Sequence, residues 1–259
     1  MRGIPVLMYH ALEDEAHPAG AKDAGEQLYV LPVHQFRKQM ECLQREGYRT
    51  FLLDELLAPS ELPEKAVVLT FDDGHESDFT LALPILLEYG FKAEFYITTG
   101  WIGTPYFLNE EQIQGLHKAG MGIGSHGVTH SFFDDLDVKG VERELFESRD
   151  RLSKIIGESV NSFSAPGGRL HKTVENRAIS RGYKTICTSV PGYIVNGCSF
   201  YKVPRVPICA NTKFETFVSL VSADKGMIVR MQRRNALLGF SKRVLGNKLY
   251  QKIRSILLD

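Results

Sequence analysis

The sequence predicts an α/β fold, a barrel or broken barrel with an added C-terminal helical tail. Short apolar runs alternate with amphipathic ones along the 259 residues, the pattern of parallel strands joined by covering helices. Seven or eight such units fall within about 220 residues, which suits a barrel or broken barrel better than an open sheet. Residues 225–259 break this pattern in both period and charge.

The elements follow in order. Ile4–Tyr9 is a strand. His34–Glu46 carries Phe36, Met40 and Leu43 at helical spacing, with Gly47 as the stop. Tyr48–Leu52 and the buried run Ala66–Phe71 are strands. Ser77–Tyr89 is a helix that Pro84 should kink. Phe91–Thr98 is a strand, and Asn109 caps a helix to Ala119. Met121–Gly124 is a short strand, and Val138–Ile156 a long helix closed by Gly157. Ser162–Ala165, Lys184–Thr188 and Val206–Cys209 are strands; Lys172–Arg181 and Lys213–Ser222 are helices.

Charge divides the chain where periodicity does. Lys and Arg total 31, as do Asp and Glu, so the formal net charge is zero. Residues 1–224 hold 22 basic and 30 acidic side chains, whereas residues 225–258 hold nine basic and no acidic ones before Asp259. The domains are therefore 1–224, the barrel, and 225–259, a basic amphipathic helical tail in which Leu245, Leu249, Ile253 and Ile256 share one face. Such a tail is expected to pack on the acidic body, or to contact a membrane surface or a partner. Neutral total charge and the lack of a binding motif exclude nucleic acid as a partner. A chain 43% hydrophobic and 24% charged is neither disordered nor fibrous. Cys42, Cys187, Cys198 and Cys209 include no C-x-x-C pair and are expected to be reduced thiols. The early apolar run of six residues is shorter than a signal-peptide core of about 7–15 or a spanning helix of about 18. The expected location is cytoplasmic, peripheral at the inner membrane face if the tail engages it.

Two motifs carry chemistry. Thr70-Phe71-Asp72-Asp73-Gly74 runs a buried strand into two adjacent carboxylates, a costly pair without a nearby cation. An Asp-Asp-Gly turn bonded to its own backbone also fits. Ser125-His126-Gly127-Val128-Thr129-His130 places two histidines four apart after a strand. One helical turn would put both on the same face, as a two-histidine metal site requires; a plain surface or core pair is the other reading. Both motifs end strands and so share one rim. Asp plus two His is a donor set for a hydrolytic metal.

TFDDG followed by SHGVTH resembles the NodB-type polysaccharide deacetylases, the carbohydrate esterase family 4 group that removes N-acetyl or O-acetyl groups from glycans. The resemblance covers residues 4–209 and implies a distorted (β/α)7-type barrel. It implies a divalent metal, most often Zn2+, held by Asp73, His126 and His130, with Asp72 as general base. The stretch Phe163-Ser164-Ala165-Pro166-Gly167-Gly168-Arg169 stands in the place of the family's Arg-x-Pro-Tyr-Gly motif and departs from it. Ser164 occupies the position of the Arg that braces the base, and Gly167 that of the Tyr. Arg169 or Arg205 is expected to take over the bracing. Pro166 and the backbone N–H of Gly167 are expected at the oxyanion, although Pro-Gly-Gly also suits a simple turn.

The family's late Leu-x-His motif is absent, since no histidine follows His171. Leu7-Met8-Tyr9-His10 ends a strand and resembles the circularly permuted members. His10 is therefore expected to be the general acid. His75 follows the Asp-Asp-Gly turn and could line the cleft, but reads as an exposed loop residue; His17, His34, His117 and His171 need no role. Tyr193 and Tyr201 could cover a sugar ring. The expected function is metal-dependent removal of acetyl groups from sugars of a polysaccharide or its precursor. The alternatives are an amidohydrolase for a small non-sugar C–N bond, and a catalytically silent glycan-binding module.

Overall fold

Ala66–Phe71 is buried along its whole length, and the sheet grows outward from it. A computed structural model describes residues 3–57 and 63–235. The parallel strands lie side by side in the order Ile4–Tyr9, Ala66–Phe71, Glu94–Ile97, Gly122–Ser125, Ser162–Ser164 and Thr185–Cys187. Arg49–Thr50 pairs beside Ala66–Val67. The sheet then curls until one segment bridges its two edges. Val203 pairs with Cys187 on one side, while Val206 and Pro207 pair with Leu7 and Met8 on the other. Residues 203–207 thus act as the closing stave of the barrel.

Alternation along the strands sorts two cores. Leu7, Tyr9, Val67, Leu69, Phe71, Phe95 and Phe163 face outward into the larger cluster beneath the helices. Ile4, Val6, Val68, Tyr96, Cys187 and Val203 face inward and fill the barrel. Gly124 is required here, because a Cβ on it would sit 2.4 Å from the Tyr96 ring.

The helices follow their capping signals. Asn109 and Gln112 form a capping box at the start of Glu110–Lys118. Asp137 caps Val138–Ile156, and Gly157 ends it with φ 77°. The expected Pro84 kink is a division: a π-turn over Asp78–Ala82 leads into Leu83–Glu88, with Pro84 in the first turn of that helix. The strand expected over Tyr48–Leu52 shrinks to Arg49–Thr50. Tyr193–Ile194, outside every expected element, pairs antiparallel with Ile4 and Pro5.

Residues 225–235 continue as a helix. Ile228 is buried, Met227 and Met231 pack on the outer core, and Gln232 Nε2 donates to the Pro191 carbonyl at 2.9 Å. This beginning of the tail lies on the body. The amphipathic face from Leu245 to Ile256 lies outside the described residues. Among the described residues no helix is long and apolar enough to cross a membrane, and all four cysteines are free.

Candidate active site

Strand register delivers the first two residues. Tyr9 pairs with Phe71, and the Asp72 N–H donates to the Tyr9 carbonyl at 3.0 Å. His10 and Asp72 are therefore level on adjacent strands, about 4.8 Å apart by strand spacing. The Tyr9 and Phe71 rings stack at 5.2 Å on the outer face. With a period of two, His10 and Asp72 are turned to the opposite face, the mouth of the barrel.

Asp72 is 3% exposed and is gripped from two other strands. Arg205, fully buried on the closing stave, donates Nη1 to Oδ1 and Nη2 to Oδ2, both at 2.7 Å. Ser164 Oγ donates to Oδ2 at 3.2 Å and accepts from Arg205 Nη2 at 2.8 Å. The guanidinium also bonds the Thr188 carbonyl and Thr70 Oγ1 and lies over the Tyr96 ring. Burial alone would raise the Asp72 carboxyl; the Arg205 charge, with His126 beside it, holds it below its ordinary value. Of the two candidate arginines, Arg205 is the one at Asp72. Arg169 instead lies on the Phe132 ring at 3.8 Å and faces Asp134 at 3.8 Å.

The second carboxylate, Asp73, has φ 81°, a left-handed conformation uncommon outside glycine that Asp tolerates. Its Oδ1 lies 3.4 Å from His126 Nε2 and 3.3 Å from His130 Nε2. One ligand atom from each of the three residues lies within 4.8 Å of the others. The expected helical turn between the histidines is absent. Gly127 and His130 are left-handed, φ 84° and 59°, and the segment is a looped turn. Convergence comes from this turn rather than from helical periodicity.

The donor set fits a divalent cation. His126 Nδ1 lies 2.8 Å from the Ser164 carbonyl oxygen, which can only accept, so the neutral ring keeps its proton on Nδ1 and leaves Nε2 bare. Burial brings this imidazole down to about 4, so it is neutral near pH 7. Its lone pair then faces Asp73 Oδ1, a buried oxygen that makes no hydrogen bond. Two electron-rich atoms aimed at each other fit a cation between them, and two imidazoles with a carboxylate suit zinc and similar ions. Asp73 itself is held well below the usual carboxylate range: burial pushes upward, but the imidazoles of His130 and His75 more than offset it.

His130 differs from His126. Burial lowers it, but Asp73 outweighs burial and leaves its pKa raised. A ligand imidazole must be neutral, so metal affinity should increase as pH rises through the His130 value, with no contribution from His126 above about pH 5. At a pH low enough for His130 to be protonated, binding should release its proton. Calorimetry in two buffers of different ionisation enthalpy counts the protons released; release of none, or of two, contradicts the assignment.

His10 is partly buried, its Nδ1 is buried without a hydrogen-bond partner, and its ring packs on Tyr29 at 4.6 Å. Burial lowers its pKa, while Asp73 and Asp72 pull the other way. In the third region Pro166 is buried and Gly167 has φ 63°. A Cβ on Gly167 would stand 2.6 Å from the Phe132 ring, so Phe132 fills the space that a side chain at 167 would need.

His75 corrects an expectation. It is no exposed loop residue: its Nε2 lies 3.7 Å from Asp73 Oδ2, and its ring stacks on Phe107. Trp101 packs against both Phe107 and His130. The aromatic rings beside the donor set are therefore Trp101 and Phe107. Tyr193 pairs with Pro5 at the far end of the first strand, and Tyr201 packs on the outer core. The signal for His75 was its place immediately after Asp-Asp-Gly; nothing local announced Trp101.

The family model for polysaccharide deacetylase matches residues 60–186, which contain Asp72, Asp73, His126 and His130 but neither His10 nor Arg205. Residues 60–186 form a polysaccharide deacetylase domain. Its class is that of hydrolases acting on carbon–nitrogen bonds. It is 27% identical to YxkH of Bacillus subtilis strain 168 over 226 residues, 86% of this chain and 77% of that protein. It is 32% identical over 107 residues to the poly-beta-1,6-N-acetyl-D-glucosamine N-deacetylase of Escherichia coli K12, 40% of this chain but only 15% of that one. Among solved structures, the Streptococcus pyogenes deacetylase PplD in complex with acetate superposes with a TM-score of 0.75 at 27% identity, covering 85% of this chain and 98% of PplD.

Proposed function

We propose that this chain is a metal-dependent N-deacetylase acting on N-acetylated sugars of a polysaccharide or its precursor, with O-acetyl esters as the neighbouring substrate class. The observation that carries the proposal is a braced, ionised Asp72 beside the Asp73–His126–His130 donor set, with His10 on the adjacent strand. A divalent cation held by those three residues, Zn2+ in this proposal, would supply Lewis acidity to a water molecule and to the amide carbonyl. Asp72 takes the proton of the attacking water. Its lowered pKa keeps it a carboxylate across the neutral range, and Arg205 and Ser164 fix its orientation. The backbone N–H of Gly167 faces the developing oxyanion in this reading. His10 gives a proton to the leaving nitrogen, which departs poorly as an anion.

The test is acetate release from N-acetylated oligosaccharides with and without a chelator. Chelator-sensitive release supports the proposal. Release from small non-sugar amides alone would favour a different amidohydrolase, and glycan binding without release a silent module. His10→Ala should lower kcat by about 10²–10⁴-fold with metal content unchanged, as measured by elemental analysis; turnover near normal removes His10 from the mechanism. The basic composition of residues 225–258 supports a peripheral place at the cytoplasmic membrane face, which cosedimentation with anionic vesicles tests.

A further inference from the structure

We propose that Glu144 is a positioning residue that sets the metal-binding geometry of His126 and His130; this rests on the metal-centre reading above. Glu144 lies on the Val138–Ile156 helix, is 3% exposed, and takes no part in the chemistry described so far. Its carboxylate reaches under the turn that joins the two histidines. Oε2 accepts the backbone N–H groups of Val128 at 2.6 Å and Thr129 at 2.9 Å. Oε1 accepts the Thr129 hydroxyl at 2.8 Å.

One helical turn further on, Ser148 Oγ meets Ser125 Oγ at 2.7 Å, and Ser125 Oγ in turn accepts the Gly127 N–H at 3.1 Å. Three successive N–H groups of the turn are thereby satisfied by acceptors on or anchored to one helix. The opposite side is also pinned, because the carbonyls of Gly127 and Val128 accept from Thr99 N at 3.0 Å and Gly100 N at 2.8 Å. Space confirms the fit: a Cβ on Gly127 would lie 2.8 Å from Glu144 Oε2, and one on Gly100 2.4 Å from the Val128 carbonyl oxygen.

This turn is the part of the site least able to hold itself. It is not a helix, and its end residue His130 sits in a left-handed conformation that persists only where the surroundings enforce it. Without the carboxylate, two part-buried N–H groups lose their acceptor, and the turn must rearrange to find others. His126 is independently fixed by the Ser164 carbonyl, so the rearrangement falls on His130. Outer partners that orient metal ligands commonly govern metal affinity in this way.

The experiment titrates metal-stripped protein with Zn2+ against a chromogenic chelator. Glu144→Ala should raise the Zn2+ dissociation constant by about 10–100-fold. Glu144→Gln should stay within about threefold of wild type, because its amide oxygen can accept both backbone bonds and its NH2 can donate to Thr129 Oγ1. A purely structural role would lower thermal stability in both variants while sparing affinity. Equal affinity in folded Glu144→Ala overturns the proposal. Amide exchange on the wild-type, metal-free chain gives a second arm: the Val128 and Thr129 amides should be protected, and exchange at unprotected rates overturns the clamp whether or not the alanine variant folds. A wild-type chain that binds no Zn2+ would instead overturn the metal-centre reading, with the amide arm still deciding the clamp.

Discussion

Arg205→Met is expected to destabilise the metal-free chain by about 3–5 kcal/mol, because removing one partner of a buried ion pair leaves the other uncompensated. Arg205 is fully buried, and both of its terminal nitrogens bond Asp72. The substitution strands a carboxylate that is itself 3% exposed. The loss should depend on pH with a definite sign. Asp72 has a folded pKa below its ordinary value of 3.8, so its contribution is present above that value and lost as pH falls through the folded pKa. In the variant, burial acts without its counterweight, the Asp72 pKa rises, and the carboxyl protonates. The gap between wild-type and variant urea midpoints should therefore narrow as pH falls from the variant's raised Asp72 pKa toward the wild type's lowered one. A gap that widens on acidification would contradict the pairing. Arg205→Lys should not restore stability, since one ammonium cannot match a two-pronged contact while also reaching Ser164 and the Thr188 carbonyl.

Asp72→Asn should reduce kcat by about 10²–10⁴-fold, the usual contribution of a positioned base. The amide cannot take a proton from water at neutral pH. Metal affinity should change little, since Asp73, His126 and His130 form the donor set without Asp72. Turnover within tenfold of wild type would remove Asp72 from the base role. Stability must be followed in parallel, because the neutral amide also leaves the Arg205 guanidinium without its counter-ion.

Much of the barrel was legible because strands declare themselves locally. Ala66–Phe71 is almost wholly apolar and bounded by turns, and the carboxylates at its end were visible as a functional rim. Gly157 marked the end of the long helix. The His126–His130 spacing was read as helical because four residues make one turn of helix. Gly127 was the warning, since a left-handed glycine breaks that turn. Arg205 could be raised only as one of two arginines. Its contact with Asp72 spans 133 residues and exists only when the sheet has curled far enough for the last segment to meet the first. Arg169 was nearer in sequence to the loop it was meant to serve, and the Phe132 ring holds it elsewhere. Short pieces such as Tyr193–Ile194 carry too few residues to show a period. They are fixed by the edge they join rather than by their own pattern.

The closing stave makes catalytic competence a late event in the life of the chain. Asp73, His126 and His130, the donors of the proposed metal site, all lie before residue 131, whereas the brace for Asp72 arrives only with Arg205. A growing or partly folded chain could therefore gather metal before its base is set. Because contacts of long sequence separation are the slow ones to form, metal uptake and turnover should separate in time during refolding. Acetate release, not metal content, would then report that the barrel has shut.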